Sequence, residues 1–384
     1  MPDAAPLSAI QGSASPSPRP ATAVPFGRFF LPGPTEVRPE VLAAQLHPMI
    51  GHRGAAMEGL VAELSAGLRY VFRTKRPVYI SSSSATGLME GAVRNGARAR
   101  VLSLVNGAFS ERFFRIARAC GLEAEPLEVP LGQVHTPEML EQALRGGRFD
   151  AVTVVHSETS TGALNPVADL ARVAHDAGDV VLLVDSVSGI AGTPVESDGW
   201  NLDFVLTGSQ KALALPPGLA LGVAQESVLA RAKQRTDRGI YFDFIEFEKG
   251  IVKDQTPNTP ALSLLYALAL QLQRIREETI EGRWARHEAM ARRTVEWTAE
   301  MRERGVALSL LAPEGFRSPT VSCIKVPEGQ SGSRITKEMD RMGFTIAAGY
   351  GALKDATFRI GHMGDHSVAE LDVLLDALAQ VLAR

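Results

Sequence analysis

Val180-Val181-Leu182-Leu183-Val184-Asp185-Ser186-Val187 is an apolar run that stops at an aspartate, and Phe204-Val205-Leu206-Thr207-Gly208-Ser209-Gln210-Lys211 repeats the pattern and ends on a lysine. Runs of Val and Leu without alternation read as strands buried on both faces, which is the pattern of a parallel sheet covered by helices. In open α/β sheets, ligands bind outside the carboxyl ends of the strands. Asp185 and Lys211 are therefore expected at one crevice, with opposite charges.

Further strands are predicted on the same grounds at Val78 to Ile80, Arg100 to Val105, Ala151 to Val155 and Leu219 to Val223. Helical spacing places Leu60, Val61, Leu64, Leu68, Val71 and Phe72 on one face of a helix from Glu58 to Phe72, and Leu170 to His175 belongs to another. A long helical region runs from Pro260 to about Gly305, interrupted near Gly282, with a polar stretch Arg283 to Arg293 that reads as solvent-facing. Short strands follow at Ala307 to Leu311, Thr320 to Val326, Thr345 to Ala347 and Thr357 to Ile360, with helices at Ser333 to Met342 and Ser367 to Leu382. The expected organisation is a disordered tail over 1–24, rich in Ala, Pro and Ser, a large α/β domain over 25–280 and a small α+β domain over 281–384.

Composition narrows the function classes. A chain of 384 residues with net charge -3 has no long-range attraction to nucleic acid or an anionic membrane, and neither partner is expected. No apolar stretch reaches the roughly 20 residues that span a bilayer, and the first residues lack a secretory pattern. Two cysteines, Cys120 and Cys323, make neither a disulfide framework nor a cysteine metal site, so a reducing cytoplasm is expected and no metal.

A lysine at such a rim suits imine chemistry, because Schiff-base catalysis needs an amine that can lose its proton. Pyridoxal 5′-phosphate (PLP) enzymes pair that lysine with an acid that keeps the pyridine nitrogen protonated, which is the role expected of Asp185 beside Lys211. Ser81-Ser82-Ser83-Ser84-Ala85-Thr86-Gly87, between a strand and a helix start, supplies hydroxyls and free amides of the kind that hold a phosphate. Gly349-Tyr350-Gly351 sits too late in the chain and lacks the third glycine of a dinucleotide fingerprint.

These residues, with Pro32-Gly33-Pro34-Thr35, Asn106-Gly107-Ala108-Phe109, Glu158-Thr159-Ser160-Thr161-Gly162, Thr256-Pro257-Asn258-Thr259-Pro260 and Phe358-Arg359-Ile360-Gly361 in this order, make the chain resemble the class V, fold-type I PLP aminotransferases of the alanine/serine–glyoxylate group. The resemblance covers nearly all of Phe29 to Arg384. It implies a mostly parallel sheet of the seven-stranded type and a homodimer. It implies that Ser84, Ala85, Thr86 and Gln210 meet the cofactor phosphate, that Phe109 stacks on the ring with Val187 on its other face, and that Thr159 bonds the ring hydroxyl. By the same resemblance Thr256 and Thr259 reach the partner subunit's phosphate, Gly33 lies at the substrate, and Arg359 grips the substrate α-carboxylate. Relatives often have glycine where Ala85 and Ser110 stand and tyrosine where Thr256 stands.

The implied reaction is a ping-pong transamination between small amino acids, alanine or serine, and a 2-oxo acid such as glyoxylate or pyruvate. His52-Arg53 keeps phosphoserine open as the donor. A cysteine desulfurase or selenocysteine lyase would need a mobile thiol, and Cys323, in an alternating strand pattern, reads as buried. A non-catalytic subunit on the same fold would need neither Lys211 nor Asp185.

Overall fold

The structure, a computed structural model, describes residues 25–383. The expected tail over 1–24 lies outside the described residues. The 7-stranded sheet begins at one edge with Tyr79–Ser81 and continues through Ala220–Ala224, Phe204–Gly208, Val181–Asp185, Ala151–Val155 and Arg100–Val105 to Glu123–Glu128 at the other edge. Every pairing is parallel except those of Ala220–Ala224, which runs against both neighbours. Two reversals cancel, so Tyr79–Ser81 points the same way as the parallel strands.

The unalternating Val and Leu runs are buried at every position in Ala151–Val155, Val181–Asp185, Phe204–Gly208 and Ala220–Ala224. Glu123–Glu128 escaped the sequence reading because it carries three glutamates and Pro126. A strand with one free edge tolerates both, since Pro126 has no amide to contribute to a ladder. The helix Ala55–Phe72 buries Val61, Leu64, Leu68, Val71 and Phe72 in the large core as its spacing requires, packing on the helix Leu262–Glu278, and Leu170 to His175 lies within Val167–Asp176.

Two corrections concern the connector. It forms two helices, Leu262–Glu278 and Ile280–Glu303, and the break is at Thr279 with φ of 66°, not near Gly282. The Thr279 hydroxyl accepts from the Gly282 amide at 3.0 Å, which caps the second helix. The stretch Arg283 to Arg293 is not wholly solvent-facing either: Arg283, His287 and Met290 are buried. A guanidinium can be buried when acidic partners come with it, and Arg283 has Glu278 and Asp365 within 2.9 Å.

A second core gathers Phe30, Met290, Trp297, Ile324, Phe358 and Leu374. It lies under a 4-stranded antiparallel sheet in the order Ser309–Leu310, Ser322–Lys325, Thr357–Ile360, Ala347–Ala348. Helices Gly332–Arg341 and Val368–Leu382 pack on this layer, the latter opened by a capping box of Ser367 and Glu370. Phe358 and Ile360 of the strand Thr357–Ile360 belong to this second core, and Arg359 between them lies on the strand's other face.

Candidate active site

The carboxyl ends of the strands converge on a cavity of about 180 Å³ lined by Ser84, Ala85, Thr86, Phe109, Thr159, Asp185, Val187, Gln210 and Lys211. The common strand direction explains the convergence. Ser84 to Thr86 follow Tyr79–Ser81, Phe109 follows Arg100–Val105, Thr159 follows Ala151–Val155, and Lys211 follows Phe204–Gly208.

Asp185 is the last residue of its strand and 3% exposed; its Oδ1 accepts from the Val187 amide at 2.8 Å. Burial pushes its carboxyl up to about 6, with the Val187 amide, Lys211 and Arg112 opposing that rise. Burial likewise brings the Lys211 amine down to about 8, against the pull of Asp185. The amine donates to the carbonyl of Pro32. A lysine so placed holds a free amine at pH values where an exposed lysine is fully charged.

Ser84 is the N-cap residue of the helix Ala85–Gly96 and its hydroxyl caps no amide of that helix; the Gly87 amide is taken by the Ser84 carbonyl at 2.9 Å, which leaves the hydroxyl and the amides of Ala85 and Thr86 to an anion at the cavity wall. Phe109 is the second residue of the helix Ala108–Ala119. Its position is fixed by Glu158, a fully buried carboxylate that accepts from the amides of Phe109 at 3.2 Å, Ser110 at 2.9 Å and Ser160 at 3.1 Å. An anion at a helix N-terminus is favourable, and here it is supplied from another strand end. The Thr159 hydroxyl shares a hydrogen bond of 2.6 Å with Ser188, and the Thr207 hydroxyl donates to the Val187 carbonyl at 3.2 Å.

Arg359 is 8% exposed. It donates from Nη1 to the Thr159 carbonyl at 3.2 Å and from Nε to the Ala348 carbonyl at 3.1 Å, with its guanidinium carbon 5.6 Å from the Tyr350 ring centroid. The Thr159 carbonyl thus joins Arg359 to the wall of the cavity.

Gly33 packs on the Lys211 side chain. Thr256 and Thr259 do not reach this cavity within one chain: they line a separate cleft with Ser81, Ser82 and Tyr241. Arg53 is also elsewhere, donating to the carbonyls of Thr256 at 2.6 Å and Pro257 at 3.2 Å. Cys323 is 2% exposed on its strand, and burial pushes its thiol up. Sequence reasoning missed Ser188 and Arg112, which line the cavity, and Glu158 as an anchor. Arg112 follows Phe109 by three positions on one helix, with its guanidinium carbon 5.0 Å from the ring centroid, a spacing that should have marked it.

The cavity fits PLP by the chemistry of its donors: an amine for the aldehyde, a buried carboxylate for the ring nitrogen, an aromatic wall, and a helix start for the phosphate. The family model for aminotransferase class-V matches residues 93–360. The chain is 39% identical to an uncharacterized aminotransferase of Methanocaldococcus jannaschii, over 88% of this chain and 87% of that one. It is 33% identical to a serine–glyoxylate aminotransferase of Methylorubrum extorquens, over 88% and 86% of the two chains. The crystal structure of an alanine–glyoxylate aminotransferase from Nostoc sp. superposes with a TM-score of 0.87 at 28% identity, covering 92% of this chain and 95% of that one. The seven-stranded sheet with its one reversed strand, the rim that gathers Lys211 and Asp185, and these likenesses agree that the chain belongs to the class-V aminotransferases, PLP-dependent transaminases of fold type I.

Proposed function

We propose that the chain moves the amino group of a small amino acid, alanine or serine, to a 2-oxo acid such as glyoxylate or pyruvate in two half-reactions of a ping-pong cycle. The observation that carries this reading is the link between Arg359 and the wall of the Lys211 cavity through the Thr159 carbonyl. Arg359 is suited to take the α-carboxylate of a donor in a bidentate grip. That grip leaves the donor's α-carbon for Lys211 Nζ, which would remove the α-proton and pass it to the cofactor, and in the second half-reaction would deliver a proton to the α-carbon of the new amino acid. Bound PLP supplies the ring that draws electrons from that carbon. Asp185 would hold the proton on the ring nitrogen, Phe109 and Val187 would flank the ring, and Ser84, Ala85, Thr86 and Gln210 would hold its phosphate.

The similarity to serine–glyoxylate and alanine–glyoxylate aminotransferases supports the same donors. The homodimer is supported by Leu46, Met49, Ile240 and Val252, which expose 71% or more of their surface on segments near Arg53 and Thr256 in the chain. Both cysteines are free thiols, in keeping with the reducing cytoplasm. No helix among the described residues is long and apolar enough to cross a membrane.

The test is the absorbance of the PLP-loaded protein mixed with alanine, serine, phosphoserine or cysteine, followed by glyoxylate or pyruvate. Alanine or serine should convert the band to that of the aminated cofactor, and the 2-oxo acid should restore it. A response to phosphoserine alone, or sulfide release from cysteine, would replace this reading.

A further inference from the structure

Arg283 is 1% exposed, has no place in the chemistry above, and is bonded on every side. Its Nε and Nη2 donate to the carbonyl of Ala212 at 3.2 and 2.7 Å, Nη2 also reaches Asp365 Oδ1 at 2.9 Å, and Nη1 reaches Glu278 Oε2 at 2.9 Å. Ala212 is the residue after Lys211. Asp365 sits in the turn that follows the strand Thr357–Ile360, the strand that carries Arg359.

Other contacts close the same joint. The Thr35 amide donates to the Gln210 carbonyl at 2.9 Å, its hydroxyl donates to the Met363 carbonyl at 3.1 Å, and the Gly364 amide donates to His287 Nε2 at 3.0 Å. Within the lysine loop, the Ala214 amide returns to the Lys211 carbonyl at 2.8 Å. Among these ties Arg283 is the charged one, and it bonds the lysine loop and the turn with one planar group.

We propose that Arg283 is a positioning residue for Lys211: its buried guanidinium fastens the loop bearing the amine to the turn beyond Arg359, so that the proton-moving and carboxylate-binding groups stay in register. The inference rests on the proposed roles of Lys211 and Arg359. A lysine at position 283 offers one nitrogen where the guanidinium offers three, so it cannot hold Ala212, Asp365 and Glu278 together in a fixed plane, and charge alone does not replace the joint.

The test compares wild type with Arg283→Lys, Arg283→Met and Asp365→Asn as full-length proteins. With PLP and alanine, kcat should fall about a hundredfold in both Arg283 variants, the scale of an ångström's misplacement, while KM for alanine holds because Arg359 is untouched. A second readout is the pH dependence of PLP capture by the cofactor-free chain. The wild-type midpoint should lie near 8. It should rise in the variants as water reaches the amine, although Asp185, Glu158, Arg112 and Arg359 still face it. Earlier melting with wild-type kcat and midpoint would make Arg283 a structural tie and overturn the proposal. If the Arg283 variants do not fold, Asp365→Asn decides: it should lower kcat and raise the midpoint to a smaller degree, and no change in either overturns the proposal. A wild type that does not capture PLP at Lys211 sinks the site reading and this inference together. Capture by wild type beside indifferent variants sinks this inference alone.

Discussion

A carbon placed on Gly33 would occupy the space of the Lys211 amine, and that amine donates to the carbonyl of Pro32, the residue before the glycine. Gly33 also has φ of 120°, where a side chain is strained by roughly 1–3 kcal/mol. Gly33→Ala should therefore displace the amine as well as destabilise the chain. We expect PLP capture to slow and kcat to fall about a hundredfold, the scale of an ångström's misplacement. Borohydride trapping followed by mass spectrometry of the Lys211 peptide measures the first, and unchanged trapping would show that the lysine has room to move.

Asp185 gives a prediction about pH. Its carboxyl is raised from 3.8 to about 6 in the folded cofactor-free chain. The folded state then binds the proton more tightly than the unfolded state. The stabilising contribution is fully present below 3.8 and is lost as pH rises through 6. Asp185→Asn should consequently raise the melting temperature of the cofactor-free protein at pH 8 and give no such gain at pH 3.5. The PLP-loaded variant should turn over far more slowly. A gain that is equal at both pH values would disconnect it from ionisation of this carboxyl.

Lys211 follows the opposite sign, since its amine is lowered from 10.5 to about 8. The contribution to stability is present above 10.5 and is lost as pH falls through 8. Lys211→Ala should abolish turnover, since it deletes the anchor and the proton carrier together, and should stabilise the cofactor-free chain at pH 7 more than at pH 10.5. Residual turnover at the wild-type rate would remove Lys211 from the mechanism.

Arg359 separates substrate class from substrate identity, because every α-amino acid presents the same carboxylate. Loss of a bidentate charge-assisted contact costs several kcal/mol, so Arg359→Ala should lower kcat/KM about a hundredfold or more for all donors alike. Arg359→Lys should recover only part. Arg53→Ala should spare alanine and serine. Selective loss of a phosphoserine reaction in that variant would restore phosphoserine as donor.

Thr259 is exposed in a cleft away from its own chain's cavity. If the homodimer forms as proposed, Thr259→Ala should weaken PLP retention without changing donor preference. Titration of the cofactor-free protein with PLP reads this, and an unchanged affinity moves the interface contact elsewhere.

Asp185, Lys211 and the sheet that presents them were legible because local signals coincide there: an unalternating apolar run, a charge at its end, and one strand direction. Arg359 and Phe109 were legible only through resemblance, since an arginine in a short strand and a phenylalanine at a helix start have no distinctive spacing. Arg283 was misread because helical periodicity sorts charge to the solvent side, and its partner Asp365 is remote in sequence yet only 2.9 Å away in space. Glu123–Glu128 lacked an apolar run because a sheet edge needs less burial.

The reversed strand Ala220–Ala224 bears on the order in which the site is assembled during synthesis. The turn at Ser84 to Thr86, proposed to hold the phosphate, follows the edge strand Tyr79–Ser81, whose one neighbour in the sheet is Ala220–Ala224. That partner leaves the ribosome long after the turn itself. A nascent chain arrested just beyond Lys211 thus has the lysine and the turn but no backbone ladder to bring them together. Cofactor capture should begin only once Ala224 has emerged, which makes PLP a reporter of how far translation has advanced.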